Sequence, residues 1–116
     1  MKLSALQDGI TTVFHTASPI HQSRKELHYR INIDGTKAVI SACKKTGIQC
    51  LVYTSSTAAV WQGQVVQGST EAEMPLVETA WDHYGFTKAR AEAMVIRAND
   101  IDGLRTCAIR PCGMFG

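Results

Sequence analysis

Ile48-Gln49-Cys50-Leu51-Val52-Tyr53-Thr54 runs directly into Ser55-Ser56-Thr57, and the reading of this junction decides the fold. The run from Ile48 to Thr54 is close to continuously apolar and of strand length, the pattern of a parallel strand covered on both faces. It ends abruptly in a cluster of hydroxyls, Thr54 to Thr57. Such clusters often do no more than satisfy the backbone of a turn. At the carboxyl end of a parallel strand, however, they stand where open α/β sheets receive ligands.

Upstream of this strand, residues 22–46 read as one long helix. Leu27, Ile31, Val39 and Cys43 approximate an apolar stripe, Lys44 and Lys45 suit the negative end of the helix dipole, and Gly47 is a ready C-cap. Asn32 and Gly35 break the local rule, since neither favours a helix interior. Gly35 allows close packing on a strand, and Asn32 either faces solvent or needs a partner. Further upstream, Ile10 to His15 is a β-branched and aromatic run bounded by Gly9 and Pro19, and Thr16-Ala17-Ser18-Pro19 makes the turn after it. Leu3 and Leu6 suit the end of a preceding helix.

Downstream, residues 58–80 form an irregular excursion with Gly63, Gly68 and Pro75, long for a plain connection and of the kind that carries function. Asp82 then caps a helix running to about Asn99. Tyr84, Lys88, Ala91, Val95 and Ala98 share one face of it, so Tyr84 and Lys88 extend a buried stripe. A phenol and an ammonium one turn apart form a plausible proton-transfer unit, because the positive charge favours the phenolate. Leu104 to Ile109 is a third strand, followed by the loop Arg110-Pro111-Cys112-Gly113. Strand, helix, strand, helix, strand with crossovers of this length implies parallel strands joined right-handedly. Thr16 to Pro19, Ser55-Ser56, Tyr84 and Arg110 to Gly113 then meet at one edge of the sheet.

The 116 residues suffice for one domain, with 45% apolar and 19% charged residues and a net charge of +2. That charge, with Lys and Arg scattered, argues against a nucleic-acid partner. No run approaches the roughly 18 apolar residues of a bilayer span. Cys43, Cys50, Cys107 and Cys112 lack zinc-ligand spacing. Three of them fall in or beside core positions and read as buried free thiols, in a soluble, intracellular chain.

The blocks V-F-H-T-A-S-P, N-I-D-G-T, L-V-Y-T-S-S, Y-G-F-T-K and R-P-C-G-M-F-G, in this order, resemble the extended short-chain dehydrogenase/reductase family and its 3β-hydroxysteroid dehydrogenase branch. T-S-S-T-A-A-V-W-Q-G and K-A-R-A-E-A-M-V-I-R-A-N-D resemble in particular its decarboxylating sterol-4α-carboxylate 3-dehydrogenases. The resemblance implies a partial Rossmann-like, NAD(P)-binding, doubly wound parallel sheet with flanking helices over residues 1–116. It implies oxidation of a sterol or steroid CH–OH group with NAD or NADP.

Carried over by position, Tyr84 would be the general acid/base, Lys88 would assist it and hold the nicotinamide ribose, and Ser56 would orient the reacting oxygen, ahead of Ser55. Thr16, Ala17, Ser18, Asn32 and Pro111 would contact the cofactor. The resemblance also implies homodimers among full-length members, and frequent association with the endoplasmic reticulum membrane. The family's G-x-x-G-x-x-G pyrophosphate turn does not occur in these residues, which correspond to the stretch from just before its fourth strand to just after its sixth. Two other functions follow as alternatives: a truncated non-catalytic fragment, inert or binding a partner as a half-domain through an open sheet edge, and an epimerase or reductase acting on nucleotide sugars or dihydroflavonols.

Overall fold

A three-stranded parallel sheet, β1 (Thr12–His15), β2 (Cys50–Thr54) and β3 (Arg105–Ile109), is arranged in the order β1-β2-β3. The computed structural model describes residues 9–79 and 81–114; the helix end expected at Leu3 and Leu6 lies outside them. The register pairs Val13 with Leu51 and His15 with Tyr53, and continues from Leu51 to Thr106 and Tyr53 to Ala108. These rows point toward the helices, α2 (Thr36–Thr46) and α3 (His83–Arg97), which also pack on each other. Both crossovers advance across the sheet in the same direction, so right-handed connections put both helices on one face.

Along β2, buried Leu51 and Tyr53 alternate with half-buried Cys50, Val52 and Thr54. Coverage on both faces, expected from the apolar run, is therefore met on the helix face only among the described residues. On the other face Phe14 is 71% exposed and Ile109 50%. The same alternation corrects the expectation for the thiols. Cys43 is buried and Cys50 partly so, but Cys107 points to the open face and Cys112 lies in the exposed loop, all four being free.

The core gathers Cys43, Ile48, Leu51, Tyr53, Ala91, Val95 and Leu104. Gly47 closes α2 at φ 70°, the left-handed geometry that glycine adopts without strain. Asp82 caps α3 by accepting from the backbone N–H groups of Tyr84 and Gly85 at 3.2 and 2.9 Å. The expected helix over 22–46 begins instead at Lys25 and is interrupted. After one α-turn (α1, Lys25–His28) the backbone widens into a π-helical stretch, Tyr29–Gly35, before α2. Its buried face is His28, Asn32 and Thr36, while Leu27 and Ile31 of the expected stripe are only half-buried. The widened turn brings a polar column to α3, where an apolar stripe was expected. Among the described residues no helix is long and apolar enough to cross a membrane.

Candidate active site

An open cleft of about 370 Å³ lies at the carboxyl ends of the strands, lined by Thr16 and Ser18 after β1, Thr54 to Thr57 after β2, Tyr84 and Lys88 of α3, and the Pro111–Met114 loop. The convergence expected from topology is thus realised in one feature. Ala17 turns instead to a neighbouring groove between β1 and the helices, lined also by Val13, Ile31 and Val39. Asn32 lies beneath the cleft rather than on its wall, 1% exposed.

Tyr84 and Lys88 are held from several sides. Gly85 lies against the short 3-10 turn Thr57–Ala59 that follows Ser56, and a Cβ there would stand 2.5 Å from the Ala58 carbonyl oxygen. Only glycine lets the first turn of α3 approach that backbone. Thr87 donates to the carbonyls of His83 and Tyr84 at 2.7 and 3.1 Å and accepts from Asn32 Nδ2 at 3.0 Å. Asn32 therefore ties the π-helical turn to the backbone of Tyr84, and its Oδ1 is buried without a partner among the described residues. The rings of His21 and His28 flank the Tyr84 ring at 5.3 and 5.8 Å between centroids. His21 also reaches the Asp82 carboxylate at 3.4 Å. Nothing in the sequence signalled these two histidines.

Lys88 is 2% exposed. Its Nζ donates to the Thr54 carbonyl at 2.8 Å and sits 5.1 Å from the centre of the Tyr53 ring. Burial lowers its pKa to about 8, since the ammonium loses water that these contacts only partly replace. An ammonium has three donors, and with one on Thr54 two remain for a ligand in the cleft. Tyr53 has its phenol pushed upward by burial first, then by Glu92 and Tyr84. His15, paired with Thr36 Oγ1 at 2.9 Å, is pushed down by burial and then by the charge of Lys88.

The two serines are distinguished by their hydrogen bonds. Ser55 Oγ donates to Glu92 Oε2 at 2.5 Å, which commits its proton. Ser56 Oγ accepts from the Ala58 N–H at 3.1 Å, which leaves its own proton free to donate into the cleft. Beside this site a second cleft of about 500 Å³, sharing Thr57, is walled by Val60, Trp61, Val66 and Met74, with Arg110 and Glu71 at its margin. Among the described residues no group of three or more His, Cys, Asp or Glu side chains could hold a metal ion.

The three parallel strands with flanking helices form a Rossmann-like fold, and the chain belongs to the 3-beta hydroxysteroid dehydrogenase/isomerase family, whose profile matches residues 1–116. It is 41% identical over 110 residues to the decarboxylating sterol-4-alpha-carboxylate 3-dehydrogenase of Candida albicans, covering 95% of this chain and 31% of that protein. The corresponding protein of Homo sapiens is 44% identical over 110 residues, covering 93% of this chain and 29% of its own length. The chain thus spans about a third of these relatives. Among solved structures, UDP-glucose 4-epimerase from Brucella ovis in complex with NAD superposes with a TM-score of 0.74 at 26% identity, over 93% of this chain and 34% of that one.

Proposed function

We propose that this chain carries the acid/base centre of an NAD(P)-dependent dehydrogenase acting on the 3β-hydroxyl of a sterol carboxylate or related steroid. The observation that supports this best is the assembly of Ser56, Tyr84 and Lys88 in one cleft with the loops after β1 and β3. In this reading Tyr84 takes the proton of the alcohol as it is oxidised, and Ser56 donates its free hydroxyl hydrogen to the same oxygen. Lys88 offers its two uncommitted donors to the ribose hydroxyls of the nucleotide. Thr16, Ser18 and Pro111 form the walls against which the nucleotide lies, Ala17 supports them from the adjoining groove, and Asn32 acts through Thr87 on the first turn of α3. The nucleotide, when bound, accepts the hydride; the epimerase solved in complex with NAD favours NAD.

The cleft beside Thr57 favours a sterol over a sugar nucleotide, because Val60, Trp61, Val66 and Met74 offer area to a ring system, while of its polar lining Thr70 is engaged by Glu73 and Arg110 by Glu92. The test is a panel assay. A 3β-hydroxysterol bearing a 4α-carboxylate, UDP-glucose and a dihydroflavonol are each supplied with NAD or NADP, and nucleotide affinity is measured by titration. NAD-dependent turnover of the sterol alone is expected. Turnover of the sugar nucleotide would overturn the substrate, and no affinity for either nucleotide would favour the partner-binding half-domain.

A further inference from the structure

Glu92 lies one turn beyond Lys88 on the same face of α3, a carboxylate only 3% exposed. It gathers four hydrogen bonds from two residues. Ser55 Oγ donates to Oε2 at 2.5 Å, and Arg110 grips both oxygens, with Nε at 3.0 and 3.2 Å and Nη2 at 2.7 Å from Oε1. The identity of these partners matters more than their number. Ser55 immediately precedes Ser56, and Arg110 immediately precedes Pro111. Glu92 therefore holds the last fixed residue before each of the two loops that wall the cleft, from the helix that presents Tyr84 and Lys88.

The two loops are also stitched to each other. The Ser55 N–H donates to the Ile109 carbonyl at 2.8 Å and the Thr57 N–H to the Pro111 carbonyl at 3.2 Å. Arg110 Nη1 further reaches the Met74 carbonyl at 3.4 Å, which adds the long excursion before α3. A bidentate guanidinium–carboxylate pair fixes direction as well as distance. The geometry points to Glu92 as a positioning residue, a rivet that sets the separation of the Ser56 hydroxyl and the Pro111 loop from Tyr84 and Lys88. It touches no reacting atom itself. Its effect on turnover rests on the dehydrogenase reading; its effect on the loops does not.

The test uses the full chain with two variants. Glu92→Gln combined with Arg110→Met removes the pair without leaving a buried unpaired charge, so the fold is retained. Ser55→Ala cuts one bond and leaves the Glu92–Arg110 pair in place. Backbone amide exchange is followed residue by residue. In the double variant the Ser55 and Thr57 amides are expected to exchange at least about tenfold faster, with Leu51 to Tyr53 within about twofold of the parent. Ser55→Ala is expected to move Thr57 in the same direction by a smaller factor. In a catalytically active form, kcat is expected to fall about a hundredfold in the double variant, with a smaller rise, at most about tenfold, in KM for the nucleotide that lies against the Pro111 loop.

A folded double variant with parental exchange at Ser55 and Thr57, or with parental kcat, overturns the proposal. Should the double variant fail to fold, parental Thr57 exchange in Ser55→Ala overturns it. If the parent protein oxidises no alcohol, the functional reading fails while the exchange experiment still decides the role of Glu92.

Discussion

The layer between the sheet and helices α2 and α3 has two ends built from the same elements and unlike in kind. Toward the amino ends of the strands it is apolar: Ile48, Leu51, Leu104, Val95 and Cys43 interlock with almost no exposure. Toward the carboxyl ends it is polar and equally buried, with His15, Asn32, Thr36, Ser55, Thr87, Lys88 and Glu92. Apolar burial at the first end stabilises the chain by roughly 25 cal/mol per Å² removed from water. At the second end each polar group costs desolvation that its hydrogen bonds offset in part. The depressed pKa of Lys88 records that incomplete offset. A chain gains no stability from burying a column of polar groups where Leu or Val would serve; in the proposed function the polar end is where chemistry is placed, and the apolar end holds it in place.

Substitutions on the two ends should therefore separate function from stability. The largest effect is expected for Lys88→Met, which keeps the length of the side chain and removes its donors and charge. Turnover by a catalytically active form should fall about 10³-fold, with cooperative unfolding retained. Leu51→Ala is the counterpart at the other end. It should cost about 3 kcal/mol in denaturant unfolding while kcat, measured where the protein is folded, stays within about twofold. A large loss of turnover with unchanged stability in Leu51→Ala would break the separation.

Gly85→Ala sits between the two, since the new Cβ meets backbone rather than a yielding side chain. It should cost about 1–3 kcal/mol and also lower turnover by moving Tyr84 away from the Ser56 turn. A further effect is expected in the pH dependence of stability. The folded pKa of Lys88, about 8, lies below its ordinary value of 10.5. Below pH 8 both states carry the proton and the cost of the buried charge is present in full. Between pH 8 and about 10.5 the unfolded chain binds the more protons, so stability rises with pH. The parent should accordingly gain on Lys88→Met across that window, as read by unfolding midpoints, and a flat difference would contradict the burial of the charge.

Much of the site was legible in the sequence because it rests on periodicities. The stripe through Tyr84, Lys88, Ala91, Val95 and Ala98 is half-buried at Tyr84 and buried at the other four positions, and Asp82 is the cap. The strand order placed the loops at one edge. What stayed hidden depends on long-range pairing or on departures from the regular helix. A π-helical turn changes the phase between the residues on its two sides, so a stripe of period 3.6 that fits Val39 and Cys43 after it ran through Leu27 and Ile31 and missed the buried His28–Asn32–Thr36 column. Asn32 and Gly35, the two poor helix formers, were the signal. Glu92 left a signal too, as a carboxylate four residues beyond Lys88 on a face that must be buried. Its partners Ser55 and Arg110 come from two other elements, and no local pattern pairs them. Exposure of Cys107 depends on what covers the far side of the sheet, which a strand's own composition does not record.

The central claim is that Tyr84, carried on the polar end, is the acid/base group. Tyr84→Phe removes one hydroxyl and keeps the ring between His21 and His28, so nucleotide affinity and the unfolding midpoint should stay near the parent's. Steady-state oxidation of the 3β-hydroxysterol carboxylate by a catalytically active form should then fall by about 10²–10⁴-fold in kcat. Undiminished kcat in the folded variant would contradict the account.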